Sequence, residues 1–155
     1  MKPSYAQLKA NYPRLSEYPI TKLYDTIGWG DLKNMDAYRN TCATRMSLAL
    51  LKAGVSLPGR MAINAGPLKG RRVEPGQAKL SNILKNILGK PEIFRSRAAA
   101  RKAIGRRNGI VSFFRLTGAH DPQGHIDIIS PENDYFKCEM SCYFDSFEIW
   151  FWPLD

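Results

Sequence analysis

The spacing of apolar residues changes character once along this chain, and that change restricts the folds open to it. Leu80, Ile83, Leu84, Ile87 and Leu88 return at i, i+3, i+4, i+7 and i+8, the buried stripe of an amphipathic helix. The pattern predicts a helix over 78–88, ended by Gly89 and Pro91. From Gly109 onward that period disappears. Residues 109–116, 125–129 and 147–152 are β-branched and aromatic runs separated by Gly, Asp, Pro and Asn, which predicts strands. Helices first and strands second mean an α+β fold, with N-terminal helices packed on a C-terminal antiparallel sheet.

The remaining helical signals fit that order. A short helix is expected at 4–10, ended by Asn11-Tyr12-Pro13, and another at 20–27. A third is expected at 42–53, with Asn40 or Thr41 as its N-cap and Gly54 as its stop. Residues 95–105 read as a basic, alanine-rich helix with a wet outer face. Residues 28–34 and 55–76, rich in Gly, Pro and polar side chains, read as loops.

A chain of 155 residues has room for one core, so a single domain over 1–155 is expected. It contains no internal repeat, and no apolar run approaches the ~20 residues of a membrane-spanning helix. The start, Met1-Lys2-Pro3-Ser4-Tyr5, lacks the apolar region of a secretory signal peptide, so synthesis in the cytoplasm is expected, with any export left to other machinery. The formal net charge is +9, and much of the excess lies between Lys69 and Arg107. Such a surface attracts polyanions. Nucleic acid, anionic cell-wall peptides and an acidic protein inhibitor all fit that charge. A basic, non-catalytic nucleic-acid-binding domain is thus one reading, although no RNP, zinc-finger or helix-turn-helix signature supports it.

A second constraint is chemical. The chain has three cysteines and two histidines. Cys42 opens a predicted helix, and His125 follows Gly124 at the start of a predicted strand, the layout of a papain-like thiol hydrolase. Free cysteine has a pKa of ~8.5, and the attacking species is the thiolate. A helix N-terminus supplies partial positive charge and unpaired N–H groups, which favour the thiolate and can serve as an oxyanion hole. A facing imidazole would take the thiol proton and later protonate the leaving amine. Strand alternation would place His125, Asp127 and Ile129 on one face, with Ile126 and Ile128 on the other. Gly124, without a side chain, would let a substrate backbone come close. His120 competes for the role of base, but it lies in a turn rich in Gly, Asp and Pro. No CxxC or HxxxH spacing appears, so neither a metal nor another cofactor is expected. Cys138 and Cys142 enclose three residues; they are either two free thiols or a short disulfide formed in an oxidising compartment.

Together these residues resemble the type VI secretion amidase effector 4 family. The matching pieces are Asn40-x-Cys42-x-x-Arg45-Met46-Ser47, Gly124-His125-Ile126-Asp127, the Cys138/Cys142 pair and the helical segment ending in Leu88-Gly89-Lys90-Pro91. The resemblance runs from about Tyr5 to Trp152. It implies a papain-like fold of the NlpC/P60 kind and an amidase delivered by the type VI secretion apparatus into the periplasm of a Gram-negative rival. It further implies cleavage of the peptidoglycan stem peptide between D-glutamate and meso-diaminopimelate, and a cognate immunity protein in the producer. Cys42 would be the nucleophile and His125 the general base. Delivery without a signal peptide would let Cys138 and Cys142 oxidise after export. No nucleic-acid or membrane partner is implied.

The chain departs from the family at one position. Family members can carry an aspartate between the two cysteines, where it orients the histidine; this chain has Met140 there. Glu139, one residue away, is expected to replace it as third catalytic residue, with Asp127, Asp134 or a backbone carbonyl as alternatives. Arg45 either reads substrate or holds its own helix in place. A papain-like hydrolase of another amide substrate is the remaining reading.

Overall fold

The computed structural model describes residues 2–116 and 123–155. Ser4 starts the first helix, α1 (Tyr5–Asn11), with a capping box: its hydroxyl accepts from the Gln7 N–H, and the Gln7 side chain accepts from the Ser4 N–H. Helix α2 (Ile20–Ile27) ends at Gly28, whose φ of 78° is the left-handed value a helix stop requires. Two 3-10 turns, Gly30–Leu32 and Asp36–Tyr38, lead to α3 (Cys42–Lys52). The chain continues through β1 (Met61–Ala62), β2 (Arg72–Val73), α4 (Gln77–Leu88), β3 (Glu92–Phe94) and α5 (Arg97–Ile104). It closes with β4 (Asn108–Leu116), β5 (His125–Glu132), β6 (Tyr135–Cys138) and β7 (Ser146–Leu154).

The expected α+β architecture is present, and the main sheet is antiparallel throughout, in the order β3-β7-β4-β5-β6. Residues from its two faces enter separate cores. Ile110, Ile126, Ile128, Trp150 and Trp152 join the larger one with side chains of α1 to α4. Val111, Phe113, Ile129, Ile149 and Phe151 join the smaller one with Ala100 and Ile104 of α5. The sheet is therefore covered on both sides, with α5 opposite the other helices. Every residue of α3 from Cys42 to Leu51 is buried, so this helix runs through the molecule and its burial is not confined to the stripe of Met46 and Leu50.

Four short strands were not legible as strands. β1 and β2 pair as a hairpin inside the segment expected to be loop, with Met61 opposite Val73. β3 has three residues and only partial burial. β6 extends the sheet at its edge with only four residues, of which Phe136 and Cys138 pack against the smaller core while Tyr135 is 54% exposed, too short an alternation to read as a strand. It also lengthens β5 beyond Ile129: Glu132 pairs with Tyr135 across a tight turn of Asn133 and Asp134, with Asn133 at φ 55°. That turn places Asp134 at the opposite end of β5 from His125.

Candidate active site

Helix α3 and strand β5 meet at their N-terminal ends, and Asn40 ties them together. Its Oδ1 accepts from the Cys42 N–H at 3.2 Å, while its Nδ2 donates to the Gly124 carbonyl at 3.2 Å. Of the two expected caps, Asn40 is the one whose side chain serves the helix start. Thr41 stands at the N-cap without a capping bond, and its hydroxyl accepts from Arg45 Nε at 2.8 Å. Arg45 is fully buried and its Nη1 donates to the Pro13 carbonyl at 2.8 Å. Those contacts fasten the start of α3 to the segment after α1, so Arg45 holds its own helix and faces no cleft.

The junction sets Cys42, 1% exposed, within hydrogen-bonding reach of the His125 ring, itself 4% exposed. The other ring nitrogen, Nε2, lies 2.8 Å from Asp127 Oδ2. A carboxylate only accepts, so Nε2 carries its proton and Nδ1 is left for the thiol. His125 and Asp127 are two residues apart on one strand and share a face, as alternation requires: they stand opposite Phe113 and Val111 of β4. The imidazole packs with two aromatic rings that also meet each other. Phe113 is near-parallel at 6.3 Å between centroids, and Tyr143 meets it edge-on at 5.0 Å.

Asp127 is fully buried, and backbone N–H groups compensate its charge. Oδ1 accepts from Ile128 at 2.8 Å and Glu139 at 2.9 Å; Oδ2 accepts from Met140 at 2.9 Å and Ser141 at 3.3 Å. Three of those donors belong to the loop closed by a disulfide between Cys138 and Cys142. The loop therefore presents its backbone to Asp127, and no side chain between the cysteines is needed for the purpose.

Glu139, expected as the third catalytic residue, is not brought to the histidine. Its carboxylate turns to Arg14, 3.3 Å from Nε, and only its N–H joins the site, through Asp127. The reason is geometric: in this tight loop the N–H groups converge on Asp127, which turns the Glu139 side chain away from the histidine to a cation. Met140 lines the cleft. Asp134 is remote, and His120 lies outside the described residues.

Burial alone would lower the pKa of His125, but the Asp127 and Cys42 hydrogen bonds and charges outweigh it and raise the imidazole to about 9. The protonated imidazole is thus the stable form at neutral pH. The pair opens onto a cleft of about 900 Å³, whose walls include Asn40, Gln77, Gly124, Met140 and Tyr143. A Cβ on Gly124 would run into the amide at the flexible end of Gln77, a side chain of α4. Gln77 Nε2 in turn donates to Ser112 at 2.7 Å, and Ser112 shares a hydrogen bond with Ser81 at 2.6 Å, which anchors α4 to β4 beneath the cleft. Among the described residues, no three His, Cys, Asp or Glu side chains converge as a metal site.

The arrangement suits acyl transfer: a buried thiol at a helix start, an imidazole facing it and a carboxylate fixing the imidazole. A search of curated protein sequences finds no match. Solved structures match over the full chain. The type VI effector Tae4 from Enterobacter cloacae superposes with a TM-score of 0.78 at 19% identity, covering 100% of this chain and 98% of that one. The Tae4–Tai4 effector–immunity complex from the same organism gives 0.77 at 19% identity with both chains covered completely. The Tae4–Tai4 complex from Salmonella Typhimurium gives 0.71 at 18%, again over 100% of each chain. These likenesses place the fold as papain-like of the NlpC/P60 kind. The model of the family described as type VI secretion system (T6SS), amidase effector protein 4, matches residues 38–152, a span that holds Cys42, His125 and Asp127 and most of the chain, and the chain therefore belongs to that family of amidase effectors.

Proposed function

We propose that the chain acts, as one domain over residues 1–155, by hydrolysing the amide between D-glutamate and meso-diaminopimelate in peptidoglycan stem peptides, in the periplasm of a Gram-negative target cell. Cys42 is the nucleophile. His125 takes its proton through Nδ1 and returns it to the leaving amine. Asp127, in place of Glu139, holds the histidine. N–H groups of the first turn of α3, with no acceptor inside the helix, stabilise the oxyanion. Two of the similar structures are complexes with Tai4. By the same reading a cognate immunity protein covers this cleft in the producing cell.

The observation that carries the proposal is the chain of contacts from Cys42 through His125 to Asp127 on the floor of an open cleft. Purified protein is expected to release stem-peptide fragments from Gram-negative sacculi, with masses that place the cut after D-glutamate. Cys42→Ala and His125→Ala proteins are expected to release none. Undiminished digestion by the Cys42→Ala protein would overturn the assignment, and fragments cut at another amide would overturn the bond.

A further inference from the structure

Beside the cleft lies a second hollow of about 360 Å³, and both Leu116 and Tyr143 line the two spaces. The charged wall of this hollow holds Arg97 and Arg101 of α5 and, facing Arg97, Asp145. Three of the seven arginines between Lys69 and Arg107 are engaged elsewhere. Arg72 donates to the carbonyls of Gly59 and Arg60, Arg95 pairs with Glu148 at 3.2 Å, and Arg107 forks onto Glu92 at 2.7 and 2.8 Å. Arg97 reaches Asp145 at 3.3 Å, with side chains 56% and 71% exposed, a contact that water and salt weaken.

Arg101 differs from all of these. Its guanidinium lies 5.5 Å from the ring centroids of both Phe136 and Phe144, and among the described residues it meets no carboxylate. Two aromatic faces hold a planar cation in one orientation while its edge donors stay open, which prepares a fork for a carboxylate. The position of the hollow selects which half of a substrate it meets. His125 must protonate the leaving amine, so that half lies on the imidazole side of the cleft; Tyr143 touches the imidazole and also lines the hollow.

We propose that this hollow is a carboxylate subsite for the leaving-amine half of the substrate, read by Arg101 and assisted by Arg97 once Asp145 is displaced. The proposal rests on the amidase reading and adds to it a determinant of specificity. The amine-side fragment of a stem peptide offers two sources of carboxylate, its C-terminus and the side-chain end of its diamino acid.

The test uses three stem peptides: one with both carboxylates free, one capped as an amide at the C-terminus, and one capped at the side-chain end of the diamino acid. Wild-type protein is expected to lose about 10- to 100-fold in kcat/KM on one of the capped peptides, the range for a hydrogen bond to a charged group. Arg101→Gln is expected to show that loss on the free peptide, mainly in KM, and no further loss on the same capped peptide. Arg101→Lys should recover part of it. Equal wild-type rates on all three peptides overturn the subsite while leaving the amidase, and this arm does not depend on whether a variant folds. No cleavage of the free peptide overturns the amidase reading itself. An Arg101→Gln protein that cuts every peptide normally but binds its immunity protein more weakly also overturns the subsite, in favour of a protein contact.

Discussion

Asp127 Oδ2 stands 2.8 Å from His125 Nε2, two residues along the same strand, and four backbone N–H groups hold the carboxylate in place. The orienting acid is thereby fixed by strand register, while the loop between the cysteines contributes only N–H groups. Asp127→Asn would present an amide where the site supplies donors. The imidazole tautomer would no longer be fixed, and kcat on stem peptide is expected to fall about 10²- to 10⁴-fold. Glu139→Gln weakens the pair with Arg14, in which the Glu139 side chain is 10% exposed, but keeps the N–H that Asp127 accepts, and is expected to change kcat by less than about threefold. Comparing the two variants on one substrate assigns the third residue; a larger loss in the Glu139→Gln protein would reverse the assignment.

The raised pKa of His125 sets the pH behaviour. Its folded value of about 9 lies above the ordinary 6.5, so the folded state binds the proton more tightly than the unfolded chain. The stability this contributes is fully present below about pH 6.5 and is lost as the pH rises through about 9. Activity should decline over the same upper limb, because the deprotonated ring cannot give a proton to the leaving amine. Denaturant unfolding of the wild-type and His125→Ala proteins between pH 6 and 10 checks the first point. A stability difference that does not shrink toward alkaline pH would count against it, and a kcat/KM that keeps rising past pH 10 would count against the second.

How much of this was readable in the residues depended on how far each signal reached along the chain. The i, i+4 stripe of α4 and the Cys42 and His125 segments carry their information locally, and the structure has them as elements where they were expected. The alternation of β5 also put His125 and Asp127 on one face, while the family resemblance pointed to the loop between the cysteines and so to Glu139. The direction of that loop's N–H groups, which decides between the two, has no sequence signature. Tyr143 and Gln77 were missed altogether. Each reaches the site through a fold-level packing contact, Tyr143 from the loop before β7 and Gln77 from the first turn of α4. The strands β3 and β6, at the two edges of the sheet, escaped notice because three and four residues are too short for an alternation to stand out.

The Cys138–Cys142 bond closes the loop that gives Asp127 three of its donors. Removing so short a link is expected to cost about 2 kcal/mol, mainly through the unfolded chain. Neither Cys42 nor His125 lies in that loop, so the nucleophile survives. A Cys138→Ser/Cys142→Ser protein should therefore melt at lower temperature yet keep measurable cleavage, with a lower kcat because Asp127 is less firmly held. A protein that is well folded and wholly inactive would show that the disulfide does more than clamp the loop.

The contact between Gly124 and Gln77 makes the last prediction, and it tests whether the cleft floor tolerates any side chain before the histidine. A Cβ at Gly124 overlaps the amide of Gln77, while the Gly124 carbonyl must keep its bond from Asn40 to hold β5 against α3. The clashing group is the far end of a flexible side chain, so Gly124→Ala should fold, with Gln77 swung away from Ser112 or the start of β5 displaced. Even a displacement of about 1 Å at His125 costs on the order of 10²-fold in rate. If the clash is the cause, Gln77→Ala in the same protein relieves it, and the double variant should exceed Gly124→Ala in kcat/KM by about tenfold or more. Losses that simply add in the double variant would mean that Gly124 serves the substrate directly, as the sequence first suggested, and that Gln77 only happens to lie beside it.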